Sequence, residues 1–150
     1  MTDEQFDETF DTNVKGAFFV AERCAAIMRQ GSAGGRIVNI ASVAGLTALQ
    51  GLTVYGMSKA AVVHMARRMA REWSGFGINV NVICPGFVET ELNAGFFRTK
   101  AGDALKNRLP RKRIRDPSLL HGMLLTLLGD RAGAFISGSI IPIDDGQLVA

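Results

Sequence analysis

The chain has 150 residues, 47% of them hydrophobic and 21% charged, with a net charge of only +3. That is the composition of an ordinary globular chain, and it excludes a disordered polymer, which needs few apolar residues and a high net charge. The length fits one domain, residues 1–150, whose core needs neither disulfide nor metal to hold it.

The longest strongly apolar stretch, Met123 to Leu128, falls far short of the ~20 residues of a membrane span. The N-terminus opens with acids at Asp3 and Glu4, where a signal peptide carries bases. Cys24 and Cys84 show no C-x-x-C spacing and read as free buried thiols. A cytoplasmic location is therefore expected. Lys and Arg number 17 against 14 Asp and Glu. The one dense basic run, Arg108 to Arg115, has no interleaved aromatic, so it reads as a solvated loop, with a patch that attracts an anionic cofactor or substrate as the alternative, and no nucleic-acid partner is expected.

In chain order, Thr2-Asp3-Glu4-Gln5 is a capping box that opens a short helix from Asp3 to about Asp11. A second helix follows, with Val14, Phe18, Ala21, Ala25 and Met28 on one face. The run Gly31 to Gly35 is Gly-rich, but it leaves a helix and opens a strand, the reverse of a phosphate-binding turn. Arg36 to Ile40 is a short β-branched strand of the kind buried in parallel sheets. Val54 to Ser74 reads as a long helix with an apolar stripe of Val62, Met65, Ala66, Met69, Ala70 and Trp73, stopped by Gly75 and Gly77.

Ile78 to Ile83 is a second strand, ended by Pro85-Gly86. The long irregular stretch from Phe87 to Arg115 has the length of a lid, with a short helix near Ala101 to Asn107. Asp116-Pro117 starts a Leu-rich helix buried on one face, and Gly138 to Ile143 is a last strand. Strands alternating with helices mean an α/β fold with a parallel sheet. About three strands with flanking helices make a partial doubly wound, Rossmann-like sheet.

Ligands of such sheets bind beyond the carboxyl ends of the strands. The first strand ends at Ser42, and the second at Cys84-Pro85-Gly86 with Thr90 just beyond. Between them, Tyr55 and Lys59 stand four residues apart on the long helix and so share a face. A phenol titrates near 10, and a neighbouring ammonium favours its phenolate. The pair is a candidate proton donor and acceptor, with the Ser42 hydroxyl beside it. His64 and His121 have no partner at metal spacing, so no metal is expected. Asp144-Asp145 reads as a turn rather than a carboxylate dyad.

Four blocks resemble the short-chain dehydrogenase/reductase family in order and spacing. They are Asn13 to Gly16, Ile40 to Gly45, Tyr55 to Ala61, and Asn81 to Thr90. The resemblance covers essentially the whole chain. It implies an oxidoreductase that interconverts an alcohol and a carbonyl with NAD or NADP. Tyr55 would be the general acid/base, and Lys59 would hold the nicotinamide ribose and lower the Tyr55 pKa. Ser42 would orient the carbonyl, and Asn13 would hold a water linking Lys59 to solvent. Pro85, Gly86, Val88 and Thr90 would line the nicotinamide, while Leu92, Phe96 and Phe97 would touch the substrate. A small-molecule alcohol or carbonyl is the implied substrate. A homo-oligomer, dimer or tetramer, is implied through the two long helices.

The sequence also departs from the family. No Gly-rich strand–turn–helix for the pyrophosphate is present, and neither is the residue that chooses NAD or NADP. The chain therefore reads as the C-terminal portion of a family member, and Met1 is an internal methionine if the upstream reading frame encodes a Gly-rich strand–turn–helix. Asp145 stands where the family commonly has Gly. The competing expectation is a non-catalytic remnant or interaction module that keeps only the helical oligomer surface.

Overall fold

The computed structural model describes residues 1–149. Helix α1 (Asp3–Phe10) starts at the expected capping box: Thr2 Oγ1 accepts from the Gln5 amide and Gln5 Oε1 from the Thr2 amide, at 3.3 and 3.0 Å. A π-helical stretch, Asp11–Gly16, carries the chain into α2 (Ala17–Gln30) without a loop. After β1 (Gly35–Ile40) come α3 (Thr53–Trp73) and β2 (Ile78–Pro85). The stretch read as a lid contains α4 (Ala94–Phe97) and α5 (Lys100–Arg108), and α6 (His121–Leu128) and β3 (Ile140–Ile143) follow.

The sheet has the order β1-β2-β3 and is parallel throughout. Gly35 to Ile40 pair with Ile78 to Ile83, and Val82 to Pro85 with Ile140 to Ile143. Period-two alternation along β2 splits its side chains between two layers. Ile78, Val80, Val82 and Cys84 pack with Ala21 and Ala25 of α2 and with Val62, Ala66 and Met69 of α3. Ile83 faces the other way, toward Leu120 and Leu127. The expected three-strand α/β sheet is thus present, with β2 fully enclosed.

Three local expectations are corrected. The β1 strand lies at the edge of the sheet, and only Asn39 in it is buried. Among the described residues, Arg36 Nε and Asn39 Nδ2 are the buried side-chain atoms without a hydrogen-bond partner, and both belong to this edge strand. The Leu-rich helix is less enclosed than its composition suggests, because Leu125 and Leu128 are exposed. It begins at His121, after a 3₁₀ turn (Pro117–Leu120) that Asp116 caps through the Ser118 amide at 2.9 Å. The last strand starts at Ile140 rather than Gly138, which has φ +75° and gives its amide to the Val80 carbonyl at 2.8 Å.

Two asparagines of the central strand tie that C-terminal loop down. Asn81 donates to the Ile136 carbonyl at 2.8 Å and accepts from the Ser139 amide at 3.0 Å. Asn79 donates to the Gly133 and Ala134 carbonyls, both at 3.0 Å. Pairing of this kind offsets the cost of burying a polar side chain.

On the other side of the sheet the Val43–Gly45 turn lies against α3. A Cβ on Gly45 would come within 2.6 Å of the Lys59 carbonyl carbon, and one on Gly56 within 2.9 Å of the Ala44 oxygen. Both contacts are with backbone, which cannot rotate aside. Gly45→Ala is expected to force the turn off the helix and to cost roughly 1–3 kcal/mol, the usual range for overpacking. A denaturant titration would check it, with a midpoint equal to the parent's as the contrary result.

Candidate active site

The carboxyl ends of β1 and β2 and the first turns of α3 enclose a cleft of about 440 Å³. Its walls include Ser42, Tyr55, Lys59, Pro85, Gly86, Val88 and Thr90. Seven of the residues singled out in the sequence thus meet at one place, where a parallel sheet holds its ligands. Asn13 lies behind the cleft, in a groove of about 430 Å³ that it shares with Lys59.

Each position has a local cause. Ser42 sits at the N-cap of the 3₁₀ turn with extended backbone, and its Oγ accepts from the Ala44 amide at 3.1 Å. Tyr55 and Lys59 are one turn apart on α3, with the ammonium 5.6 Å from the centre of the phenol ring. Lys59 Nζ also donates to the Ile40 carbonyl, 3.3 Å away, at the last residue of β1. Tyr55 is 37% exposed and lines both this cleft and a neighbouring groove with Thr12 and Asn13. Asn13 falls within the π-helical stretch between α1 and α2. Such bulges displace side chains from the regular helical face and recur at functional sites.

Ser58 was not singled out in the sequence, yet it joins these elements. It is fully buried, donates to the Tyr55 carbonyl at 2.7 Å, and accepts from Asn13 Nδ2 at 3.0 Å. Its hydroxyl therefore fixes Asn13 to the turn of α3 that carries Tyr55. The available signal was a serine three residues after Tyr55, where a helical hydroxyl can bond back to the carbonyl of the preceding turn.

Of the expected substrate contacts, Ser42 lines the cleft, and Leu92, Phe96 and Phe97 are not among its lining residues. Leu92 is 99% exposed and lines a neighbouring groove with Glu89, Glu91 and Arg115. Phe97 is buried, and Phe96 packs edge-on against it with ring centres 5.5 Å apart. The aromatic pair anchors the α4–α5 segment rather than walling the space beside Tyr55.

Burial sets the protonation of the two groups beneath the cleft. Partial burial lowers the Lys59 pKa from its usual value, and the neighbouring Cys84 works against that shift. Burial also pushes the Cys84 thiol up to about 11, against smaller opposing effects from the Ser42 backbone and Lys59. Cys24 is only half-buried, so one of the two thiols departs from the expected burial. No group of three or more His, Cys, Asp or Glu able to hold a metal occurs among the described residues. No helix there is long and apolar enough to cross a membrane.

The donor set suits the nicotinamide–ribose half of a dinucleotide. An ammonium, a phenol and a hydroxyl converge on a cleft with a Pro85-Gly86 wall. Among the described residues no Gly-rich turn leads from a strand into a helix, so the pyrophosphate has no such cradle in this segment.

A family model described as enoyl-(acyl carrier protein) reductase matches residues 1–147. The 3-oxoacyl-[acyl-carrier-protein] reductase MabA of Mycobacterium tuberculosis is 35% identical over 98% of this chain and 58% of its own length. An NAD-dependent glycerol dehydrogenase of Listeria innocua is 35% identical over 99% of this chain and 58% of its own length. The crystal structure of a 4-hydroxyisoleucine dehydrogenase mutant, complexed with NADH and succinate, superposes with a TM-score of 0.92 at 32% identity. That match takes in 99% of this chain and 61% of the other. The fold and the matches define a Rossmann-like α/β class: the chain belongs to the short-chain dehydrogenase/reductase family. It spans about 58% of the length of the curated relatives it matches.

The shifted thiol has a measurable consequence. Cys84 holds its proton more tightly folded than unfolded, so the stability it contributes is present below pH 9 and is lost as pH rises toward 11. Replacing it by Ala is expected to flatten the alkaline limb of stability against pH. At pH 8 a disulfide-exchange reagent should titrate Cys24 in the native protein and Cys84 only on unfolding. Rapid native reaction of both thiols would contradict this.

Proposed function

We propose that the protein carrying this chain interconverts an alcohol and a carbonyl on a small-molecule substrate with NAD or NADP. The observation that carries the reading is the meeting of Ser42, Tyr55 and Lys59 in one cleft, beside the Pro85–Thr90 wall. Family membership supports it, as do relatives named for NAD-dependent and NADH-bound dehydrogenases.

When bound, the nicotinamide supplies or accepts the hydride. Pro85, Gly86, Val88 and Thr90 are the residues to line its ring, and Lys59 the one to hold the ribose hydroxyls. In the reducing direction Tyr55 Oη gives its proton to the substrate oxygen as that oxygen becomes an alcohol. In the oxidising direction it takes the proton back. The Lys59 charge stabilises the phenolate left behind. Ser42 donates to the same substrate oxygen and fixes the carbonyl's direction. Asn13, held by Ser58, keeps a polar path from Lys59 toward the groove behind it, where a water can restore the proton.

Tyr55→Phe removes the hydroxyl and leaves the ring packing. In the whole protein, turnover with a nicotinamide cofactor is expected to fall by about 10²–10⁴-fold, the usual contribution of positioned acid–base groups. Turnover within a fewfold of the parent would sink the role given to Tyr55.

We further propose that the chain self-associates through α2. Phe18, Phe19, Val20 and Ile27 are exposed there, and Phe19 is 50% open. Phe10, Val14, Phe18, Phe19 and Met65 line a shallow apolar groove of about 380 Å³. Apolar surface of this kind is costly to leave wet. Two copies related by a twofold axis would cover it with the same residues from each. The same exposed face is what favours the second reading, an interaction module without catalysis. Sedimentation at micromolar concentration is expected to give a dimer or tetramer, reduced to monomer by Phe19→Glu. A monomer in the parent protein would refute the assembly.

A further inference from the structure

We propose that Asp145 is a positioning residue, which holds the 109–116 loop in place so that the loop braces the Val88–Thr90 wall of the cleft. Asp145 stands at φ +56°, a left-handed conformation unusual for any residue but glycine, asparagine or aspartate. Such strain persists where the surroundings determine it. Here the surroundings are two arginines. Arg113 grips the carboxylate with both arms, Nε at 2.6 Å and Nη2 at 3.0 Å, and Arg111 Nε lies 3.2 Å from Oδ1. The basic run expected to be merely solvated thus has two members engaged by one carboxylate. Arg115 adds a third positive charge nearby, and the arginines hold the Asp145 carboxyl below its usual range.

The carboxylate stands on a fixed base. Asp144, its neighbour, accepts from the Gly146 and Leu148 amides at 3.1 and 2.8 Å, which closes the turn. Gln147 Oε1 accepts from the Phe87 amide at 3.2 Å, and the Ile143 carbonyl from the Gly86 amide at 3.0 Å. The turn is therefore seated on the strand end that walls the cleft. Beyond the two arginines, the far end of the loop reaches the next part of the same wall. Arg115 forms a parallel bridge with Val88, and its carbonyl accepts from the Glu89 amide at 2.8 Å. Ile114, Arg115 and Asp116 then form one side of a groove of about 700 Å³, opposite Glu89 to Leu92. Thr90 and Pro117 belong to both this groove and the cleft. Asp145 thus links the turn seated on Pro85–Phe87 to the loop that pairs with Val88 and Glu89.

Amide hydrogen exchange on the purified protein tests the brace. Asp145→Asn keeps a residue that tolerates the left-handed backbone and removes the charge. Protection of the Glu89 amide is expected to drop about two- to fivefold, in the range of an exposed ion pair, while Val80 and Val82 stay unchanged. Arg113→Gln should give the same pattern. Asp145→Gly relieves the strained backbone and so keeps the test open if the Asn variant folds poorly. It too should loosen Glu89. Unchanged Glu89 protection in Asp145→Gly, or a loss shared equally by β2, would overturn the proposal. The effect on catalysis rests on the oxidoreductase reading. In the active enzyme Asp145→Gly should raise the KM for the nicotinamide cofactor more than it lowers kcat, and an unchanged KM beside a loosened Glu89 would overturn the positioning role. Absence of turnover in the parent enzyme would instead count against the oxidoreductase reading, and Glu89 exchange would still decide the brace.

Discussion

Backbone-to-backbone contact between the Ala44–Gly45 turn and the start of α3 governs the geometry of this molecule. Ser42 belongs to the sheet layer, at the end of β1, whereas Tyr55 and Lys59 belong to a helix in the layer above. Side chains of ordinary size between the layers would hold them apart. Gly45 over the Lys59 carbonyl and Gly56 under the Ala44 oxygen remove that spacing. Ser42 and Tyr55 then share a cleft, and Lys59 can reach back 3.3 Å to the carbonyl of Ile40. Close packing transmits such a constraint, because interiors tolerate little change in volume.

The opposite wall depends on polar ties rather than on packing. Past Pro85 the wall leaves β2, and its strand pairing is reduced to the single Val88–Arg115 bridge. It is fastened by the Gly86 and Phe87 amides to the C-terminal turn and by Glu89 to Arg115. Asn79 and Asn81 perform the same task one layer down, holding the 133–139 loop to β2. The cleft thus has one wall set by steric contact and one set by hydrogen bonds.

The sheet and helices were legible because their periodicities are strong: alternation along Ile78 to Ile83, three-and-four spacing along α3, and a capping box at Thr2. Helical spacing put Tyr55 and Lys59 on one face, and the four blocks in register singled the pair out. Less was legible wherever the deciding contact is distant in sequence. Ser58 acts through a partner 45 residues away. Phe96 and Phe97 were named as substrate contacts from the family resemblance, and nothing local to them signals that one ring is buried and the other stays exposed. Asp145 was visible as a departure in a turn, and its partners were visible only as a basic run.

Lys59 shows why the site needs this residue type. Partial burial of an ammonium is unfavourable, and the lowered pKa records that cost. Two neighbours offset part of it: the Ile40 carbonyl as an acceptor and the Tyr55 ring as a cation–π partner. An arginine in the same place would present a planar fork that a single carbonyl and a ring cannot satisfy together. A lysine presents three donors around a point charge, and the Ile40 carbonyl takes one of them. The remaining donors are directed by the same geometry that brings the charge beneath the phenol. The placing of Tyr55 and Lys59 is therefore one arrangement, fixed by where β1 ends and how closely α3 lies upon it.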